Sequence, residues 1–429
     1  MISEGGIMSD TRTEKTYALA KERCAEIGVD TEAAIAAADK VPLSIHCWQG
    51  DDVGGFEHEG ATLTGGGIQV TGNYPGKARN PAELRADFEE VLRDVPGVKR
   101  FNMHASYGEF AGKSVDRDAI ETSHFTGWID WAKRSGVCLD FNSTFFSHPL
   151  AANGYTLSDR SVKTRAFWVE HTKRVRRIAA AMGAAQKSPC THNLWIPDGT
   201  KDSPVDKAGY RRRLIESLDA IFVDSYSERE LEDSIEGKLF GIGSEAFVVG
   251  SHEFYLAYAT MHRKFLTIDL GHYHPTENVA DKLSSVLPFV PGVLLHVSRG
   301  LRWDSDHVVT VTDELFDLCR ELVRSGQLSR VRVGLDYFDG SINRVGAWAI
   351  GARSARKALI AAFLEPHAAL LAADEADDGF ARLALLEEAK SLPWSAVWDE
   401  YCRRSGVPAD SQLVASVKAY ERGVLAKRT

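Results

Sequence analysis

The chain has 429 residues, of which 44% are hydrophobic and 26% are charged, the balance of an ordinary globular protein. Its net charge of −9 and the lack of a basic stripe argue against nucleic acid or an anionic membrane surface as a partner. The six cysteines show no CxxC spacing, and the N-terminus has no signal-peptide pattern. Both features favour reduced thiols in a cytoplasmic protein.

The chain begins and ends in helical patterns. Apolar residues recur at three- and four-residue spacing over 13–27, Gly28 is placed to end that helix, and Asp30 is placed to cap a second one. Residues 354–429 contain further helical segments separated by proline, glycine and acidic turns. We therefore predict three parts: an N-terminal helical extension over 1–40, a catalytic barrel over 41–353, and a C-terminal helical extension over 354–429.

Eight short apolar runs, separated by a few tens of residues, lie in the central part. Helical patterns such as 81–94 occupy the gaps, and this alternation predicts a parallel sheet. Eight such units over about 300 residues fit an α/β fold, the (β/α)8 TIM barrel, with an open doubly wound sheet as the alternative. The runs lie at 43–48, 100–105, 137–142, 192–197, 234–240, 265–270, 293–298 and 331–337.

Nearly every one of these runs ends in a chemically capable side chain. Because a barrel gathers the carboxyl ends of its strands on one face, where its active site lies, we expect these side chains to converge. They are His46 and Trp48, His104, Asn142, Trp195, Glu236 and Lys238, Asp269, His296, and Asp336.

Acidic and histidine residues near these ends predict two adjacent cation sites. Oxygen-rich ligation with a histidine at each site suits Mn²⁺, Mg²⁺ or Co²⁺ better than a thiolate zinc site. Asp304 and Asp306 point the same way in an extended segment, and they repel each other unless a cation lies between them. Helix caps or ion pairs explain one such residue but not all seven. The seven are Glu236, Asp269, His272, His296, Asp304, Asp306 and Asp336.

Other polar and aromatic side chains have weaker support from pattern alone. His104 is either a hydrogen-bonded core residue or a functional one. Lys238 faces the same side as Glu236 in an extended chain, where it forms a salt bridge or orients substrate oxygens. Trp48 and Trp195 are either core residues or rings that pack against a sugar.

Several long and unusual segments are spread along the chain. They include HCWQGDDVGGFE, DFNSTFFSHPL, EGKLFGIGSE, GHYHPTE, LLHVSRGLRWDSDHVV and GLDYFDGSINR. These segments resemble the bacterial L-rhamnose isomerases, and the similarity runs from about residue 15 through the rest of the chain. The resemblance implies a barrel with extra helices that build a homotetramer. It also implies an aldose–ketose isomerase that interconverts L-rhamnose and L-rhamnulose with two divalent ions, commonly Mn²⁺, for which Co²⁺, Zn²⁺ or Mg²⁺ can substitute.

The resemblance also implies roles for single residues. A structural ion is implied at Glu236, Asp269, His296 and Asp336, and a catalytic ion at His272, Asp304 and Asp306, with Asp269 as a bridge. The catalytic residues implied are His104 for ring opening, Lys238 near the substrate oxygens, and Asp336. The substrate-binding residues implied are Trp48 and Trp195 in the pocket, and Val53 and Leu63 against the 6-methyl group. Ser106 stands where the family has an apolar residue, which puts the tightness of methyl recognition in doubt.

Two reaction routes and two other classes of protein stay open. Isomerisation proceeds by proton abstraction through an enediol or by hydride shift from C2 to C1, and the dense metal ligation favours the hydride shift. A metal-dependent hydrolase or endonuclease could use the same barrel, although the acidic charge argues against a phosphate-binding groove. A sugar-binding protein would make no use of seven metal-capable residues.

Overall fold

In the computed structural model, which describes residues 4–57, 70–238, 246–274, 276–301 and 305–428, eight parallel strands close into a barrel. This confirms the predicted TIM barrel and excludes the open sheet. The strands are β1 (Leu43–His46), β2 (Lys99–His104), β3 (Cys138–Asn142), β4 (Cys190–Leu194), β5 (Gly199–Thr200), β6 (Leu231–Glu236), β7 (Phe247–Val248), β8 (Phe265–Asp269), β9 (Val293–Val297) and β10 (Val331–Leu335). The barrel order is β1-β10-β9-β8-β6-β4-β3-β2, while β5 and β7 form a separate antiparallel pair.

One helix follows each barrel strand, and the others lie at the two ends of the chain. The bounds are α1 (Glu4–Ala25), α2 (Thr31–Lys40), α3 (Pro81–Asp94), α4 (Thr126–Ser135), α5 (Val162–Gln186), α6 (Lys207–Phe222), α7 (His252–His262), α8 (Ala280–Val286), α9 (Asp313–Arg324), α10 (Arg344–Phe363), α11 (His367–Glu375), α12 (Gly379–Lys390), α13 (Trp394–Arg404) and α14 (Asp410–Gly423). None of the helices in the described ranges has the length and apolarity needed to cross a bilayer.

Some of the predicted helix boundaries agree with the structure and others do not. Asp30 caps α2 as expected, because its carboxylate accepts the backbone N–H groups of Glu32 and Ala33. The first helix is longer than the predicted 13–27, since it begins at Glu4. The predicted division between residues 353 and 354 falls inside α10, the helix that follows the last barrel strand.

Side chains inside the barrel are mostly polar, whereas apolar layers fill most TIM barrels. The amide of Asn142 on β3 donates to Asn102 Oδ1 on β2 at 2.6 Å, and Thr267 Oγ1 on β8 donates to Asn193 Oδ1 on β4 at 2.8 Å. Most of the residues that alternate with them, such as Phe141, are apolar and buried, with His192 and Asp233 as polar exceptions. The apolar runs therefore supply most of the outer face of the strands, and the inner face is hydrogen-bonded.

Two ion pairs near the amino ends of the strands form what we call the barrel floor, made of Arg100, Asp140, Glu232 and Arg332. Arg100 pairs with Asp140 through two contacts of 2.8 Å. Arg332 on β10 reaches Glu232 on β6, which is not its neighbour in the sheet, through contacts of 2.8 and 2.6 Å. Burial raises the pKa of Asp140, but Arg100 outweighs burial and holds it below its usual value. The floor is thus charged but fully paired.

The helices at the two ends of the chain pack together into a second hydrophobic core. Cys24 of α1 and Ile35 of α2 are buried with Val397, Trp398 and Cys402 of α13. Parts of the two predicted extensions therefore share one core, whereas Leu413 and Val417 of α14 pack in the core of the barrel. Part of their apolar surface stays exposed on α11 and α12, at Leu371, Phe380 and Leu383.

Candidate active site

The carboxyl ends of the barrel strands surround a narrow cavity with a water-accessible volume of about 30 Å³. The side chains expected to converge there do so, with Lys238 as the exception among those described. The cavity is lined by His46, Trp48, His104, Asn142, Ser143, Asn193, Trp195, Glu236, Asp269, His272, His296, Asp306 and Asp336.

One group of possible metal ligands surrounds the imidazole of His296. Its Nδ1 lies 3.2 Å from Asp336 Oδ2, 3.4 Å from Glu236 Oε1 and 3.6 Å from Asp269 Oδ2. Ligand atoms of Asp269, His296 and Asp336 all lie within 4.8 Å of one another. Burial lowers the pKa of His296, but the Glu236 and Asp336 carboxylates outweigh it and raise this pKa well above its usual value. Negative charge is therefore concentrated at this point.

The hydrogen bonding of this group fits a cation. Neither ring nitrogen of His296 makes a hydrogen bond, and Asp336 Oδ1 makes none, although all three atoms are buried. Buried polar atoms nearly always have partners. Three carboxylates and one imidazole offer the hard oxygen and nitrogen donors that Mn²⁺ or Mg²⁺ accepts. The predicted structural-ion residues, all described, are thus brought together.

A second group shares Asp269 and Glu236 with the first. Ligand atoms of Glu236, Asp269 and His272 lie within 4.8 Å of one another. His272 Nδ1 bonds Gly237 O at 2.9 Å, so Nδ1 carries the proton and Nε2 keeps its lone pair for a metal. Asp306 lines the same cavity and has a φ of +39°, a strained value for a residue other than glycine. Asp304 lies outside the described residues.

Two histidines opposite the acidic groups are linked to each other. His46 Nδ1 accepts the backbone N–H of Trp48, which places the proton of this ring on Nε2. That Nε2 lies 3.2 Å from His104 Nε2, and His104 Nδ1 lies 3.3 Å from Thr144 Oγ1. Burial lowers the pKa of His46 to about 4 and lowers that of His104 well below its usual value. Both rings are neutral at pH 7.

Four aromatic rings form a wall beside the histidines. Trp48 stacks on His104 with ring centroids 4.4 Å apart, and it makes edge contacts with Phe146 and Phe338. Trp195 in turn contacts Phe146. The sequence analysis predicted both tryptophans at the site but not the two phenylalanines. Because Phe146 and Phe338 lie within a few residues of the ends of β3 and β10, a search for aromatic residues near strand ends would have found them.

Comparisons with known proteins agree with this site. The family model for L-rhamnose isomerase (RhaA) matches residues 11–428. The chain belongs to the L-rhamnose isomerase family. The L-rhamnose isomerase of Rhodopirellula baltica is 54% identical over 416 residues, which cover 97% of each chain. Those of Salmonella paratyphi A and Enterobacter sp. strain 638 are each 52% identical, covering 98% and 97% of this chain and 100% and 99% of their own.

A solved structure of 3-keto-D-glucoside 4-epimerase YcjR from E. coli is also similar. It covers 67% of this chain and 98% of its own, with 12% identity and a TM-score of 0.46. This likeness is too distant to bear on function.

In this member of the L-rhamnose isomerase family, Lys238 does not line the cavity. It follows β6 directly, is buried, and donates from Nζ to Pro197 O at 3.3 Å while lying 5.3 Å from the Trp195 ring centroid. The polar residue that does contact Glu236 is Asn193, whose Nδ2 lies 2.6 Å from Oε2. The sequence analysis did not predict a role for Asn193. An asparagine within a buried strand nevertheless indicates that a polar partner lies nearby.

The loop after β1 carries the predicted methyl-binding residue Val53. Val53 is buried and has a φ of +61°, a conformation that β-branched residues rarely adopt. It is not among the residues that line the cavity, and Leu63 lies outside the described residues. Arg344 holds this loop by pairing with Asp52 through two contacts of 2.7 Å. Backbone strain at Val53 is therefore maintained by a buried ion pair.

Ser106, which stands where the resemblance implied an apolar residue, supports the same loop. Its carbonyl oxygen accepts the backbone N–H of Phe56 at 2.8 Å, and a Cβ on Gly55 would lie only 2.9 Å from that oxygen. Ser106 is buried, and it is absent from the described lining of the cavity. Any effect of Ser106 on a substrate would therefore act through the position of the loop.

Replacing Asp51 by asparagine is expected to remove a pH dependence of stability. Burial raises the pKa of Asp51 to about 7, although hydrogen bonds from Tyr107 and Gly55 favour the ionised form. The unfolded pKa is about 3.9, so the folded state loses stability as pH rises from about 4 to 7, by roughly 4 kcal/mol. Urea midpoints at pH 5 and pH 8 should show this loss in the parent protein relative to D51N. An equal pH slope in both proteins would contradict the assignment.

Proposed function

We propose that the protein interconverts L-rhamnose and L-rhamnulose with two bound divalent cations, and that Mn²⁺ is its ion in the cell. The observation that carries the proposal is the pair of buried ligand groups that share Asp269, one of them around a His296 ring without hydrogen bonds. The test is to strip the protein with a chelator and supply L-rhamnose. Ketose should form only after Mn²⁺ or Co²⁺ is returned, and ketose formation by rigorously metal-free protein would refute the proposal.

We assign separate roles to the side chains around the cavity. Glu236, Asp269, His296 and Asp336 would hold one ion, and His272, Asp304 and Asp306 would hold the other, with Asp269 available to both. Bound divalent ions supply Lewis acidity, which polarises a sugar carbonyl and acidifies a hydroxyl group. The aromatic wall excludes water from the apolar face of the sugar. Neutral His104 can exchange a proton with the ring oxygen of the sugar when the ring opens. Lys238, which lies 5.3 Å from the Trp195 ring centroid, contributes positive charge near the substrate oxygens.

We further propose that hydrogen moves from C2 to C1 as a hydride. An enediol route needs a base over C2. Around the described part of the cavity, the carboxylates are assigned to cations, and burial of His46 and His104 makes them weak bases. These assignments favour a direct transfer that needs no protein base.

L-rhamnose carrying deuterium at C2 distinguishes the two routes. In ordinary water, a hydride shift is expected to leave the label on C1 of the ketose, because the migrating hydrogen never meets solvent. An enediol route would exchange it for solvent hydrogen. NMR of the product measures the retained label, and extensive loss of label early in the reaction would overturn the hydride route.

The protein is also expected to assemble as a homotetramer. Phe380 on α12 is 82% exposed and Leu383 is 58% exposed, and large apolar side chains at this density mark contacts between subunits. Light scattering should give four times the chain mass of 47.2 kDa. Substituting both residues by aspartate should lower this mass, whereas the same change at the isolated exposed Val205 should not. A stable parent monomer would refute the expectation.

A further inference from the structure

Three buried polar side chains lead from the barrel interior to one metal-binding carboxylate. Ser234 Oγ lies 2.6 Å from Thr267 Oγ1, Thr267 Oγ1 lies 2.8 Å from Asn193 Oδ1, and Asn193 Nδ2 lies 2.6 Å from Glu236 Oε2. Each of the four residues is at most 4% exposed. They come from β4, β6 and β8, which are neighbours in the barrel.

The donor and the acceptor can be assigned for each of these three hydrogen bonds. A carboxylate that binds a cation can only accept, so the amide nitrogen of Asn193 must face Glu236. Its oxygen then faces Thr267, which must donate its hydroxyl proton to Asn193. Thr267 consequently accepts from Ser234. If the Asn193 amide flipped, two oxygen acceptors would face each other at 2.6 Å, so the amide has a single orientation.

The two oxygens of Glu236 therefore have different roles. Oε2 is engaged by Asn193, while Oε1 lies 3.4 Å from Nδ1 of His296. Oε1 is thus the oxygen directed at the ligand group around His296. We propose that Asn193 is a positioning residue that makes Glu236 a one-oxygen ligand, and that Thr267 and Ser234 fix its amide for this purpose. The proposal rests on the proposed metal dependence.

This arrangement has a consequence for the choice of ion. A glutamate with both oxygens free can chelate, which suits large ions such as Ca²⁺ that accept six to eight oxygens. Smaller ions that favour octahedral geometry gain from a single, oriented oxygen. Asn193 is therefore a determinant of selectivity for Mn²⁺ over Ca²⁺, although it touches neither ion.

The experiment measures ion binding directly, with no need for turnover. Free Mn²⁺ is followed by electron paramagnetic resonance during titration of the metal-free protein, and Ca²⁺ affinity is obtained by competition. Thr267→Val keeps the side-chain shape but removes the hydroxyl, so it should weaken Mn²⁺ binding about tenfold, as typical of lost outer contacts at metal sites. Thr267→Ser keeps the hydroxyl and should bind within about twofold of the parent. Asn193→Ala should weaken Mn²⁺ binding by roughly tenfold or more, with a smaller loss for Ca²⁺.

The control is Asn102→Ala, which removes a buried amide of the same barrel that bonds Asn142 and contacts no described carboxylate. It should leave the Mn²⁺ affinity unchanged, and thermal unfolding should show that all variants are folded. Equal weakening of Mn²⁺ and Ca²⁺ in N193A would indicate a merely structural role and overturn the proposal. So would parent-like Mn²⁺ binding in T267V. Failure of the parent protein to bind Mn²⁺ would instead overturn the proposed function.

Discussion

Replacing Asp269 by asparagine is expected to lower kcat/KM for L-rhamnose about a thousandfold, which corresponds to the several kcal/mol that a Lewis-acid cation contributes. Asp269 belongs to both ligand groups, so its neutralisation weakens both sites at once. In the parent protein, Asp269 Oδ1 accepts the backbone N–H of Gly271 at 2.7 Å. The amide oxygen of asparagine can accept the same hydrogen bond. The barrel should therefore stay folded. Steady-state kinetics with saturating Mn²⁺ measures the loss.

The control for this variant is Asp94→Asn. Asp94 is equally buried but lies at the end of α3, where it accepts a hydrogen bond from Ser416 at 2.8 Å. Its neutralisation should leave kcat/KM within about twofold, because no cation is assigned to it. If D269N kept more than about a tenth of the parent activity, Asp269 would not be a shared ligand.

Replacing Arg176 by methionine is expected to destabilise the fold by about 3–5 kcal/mol, because it removes the guanidinium partner of a buried carboxylate. Arg176 on α5 pairs with Asp233 on β6 through two contacts of 2.9 Å and also donates to the carbonyls of Ile221 and Asp224. This loss is a large part of the 5–15 kcal/mol that stabilises a typical domain. Urea unfolding of the metal-free protein gives the difference.

A surface pair provides the comparison. Arg382 contacts Asp374 at 2.5 Å with both side chains about half exposed, so Arg382→Met should cost only about 0–1 kcal/mol. Similar unfolding midpoints for R176M and R382M would show that the Asp233 pair adds nothing beyond a surface contact. His192 Nδ1 at 3.1 Å and Lys264 Nζ at 3.3 Å would then be the effective partners of Asp233.

The strand pattern and the strand ends were predictable because each is local. Eight apolar runs gave eight barrel strands, and the last polar residue of each run marked the face on which Glu236, Asp269 and His296 meet. The role of Asn193 was not predictable in this way. It depends on the register that sets Asn193 beside Ser234 and Glu236 beside Thr267, and register between strands is absent from the pattern of any one strand.

The packing of the N-terminal helices against α13 could not be predicted for a similar reason. Helical periodicity and the cap at Asp30 indicate where helices form. They do not indicate that α1 and α2 share a core with α13, since the residues that meet, such as Cys24 and Val397, lie far apart in the chain. The position of Lys238 behind Trp195 likewise follows from how the chain turns after β6.

The barrel floor occupies the amino side of the barrel. Its paired guanidinium and carboxylate groups lie near the amino ends of the strands, whereas the side chains that line the cavity lie at the carboxyl ends. Under the proposed function, ions and sugar would therefore both enter from the carboxyl side. A bound sugar would then retard exchange of the ions with solvent, so metal loss is expected to be fastest in protein without sugar.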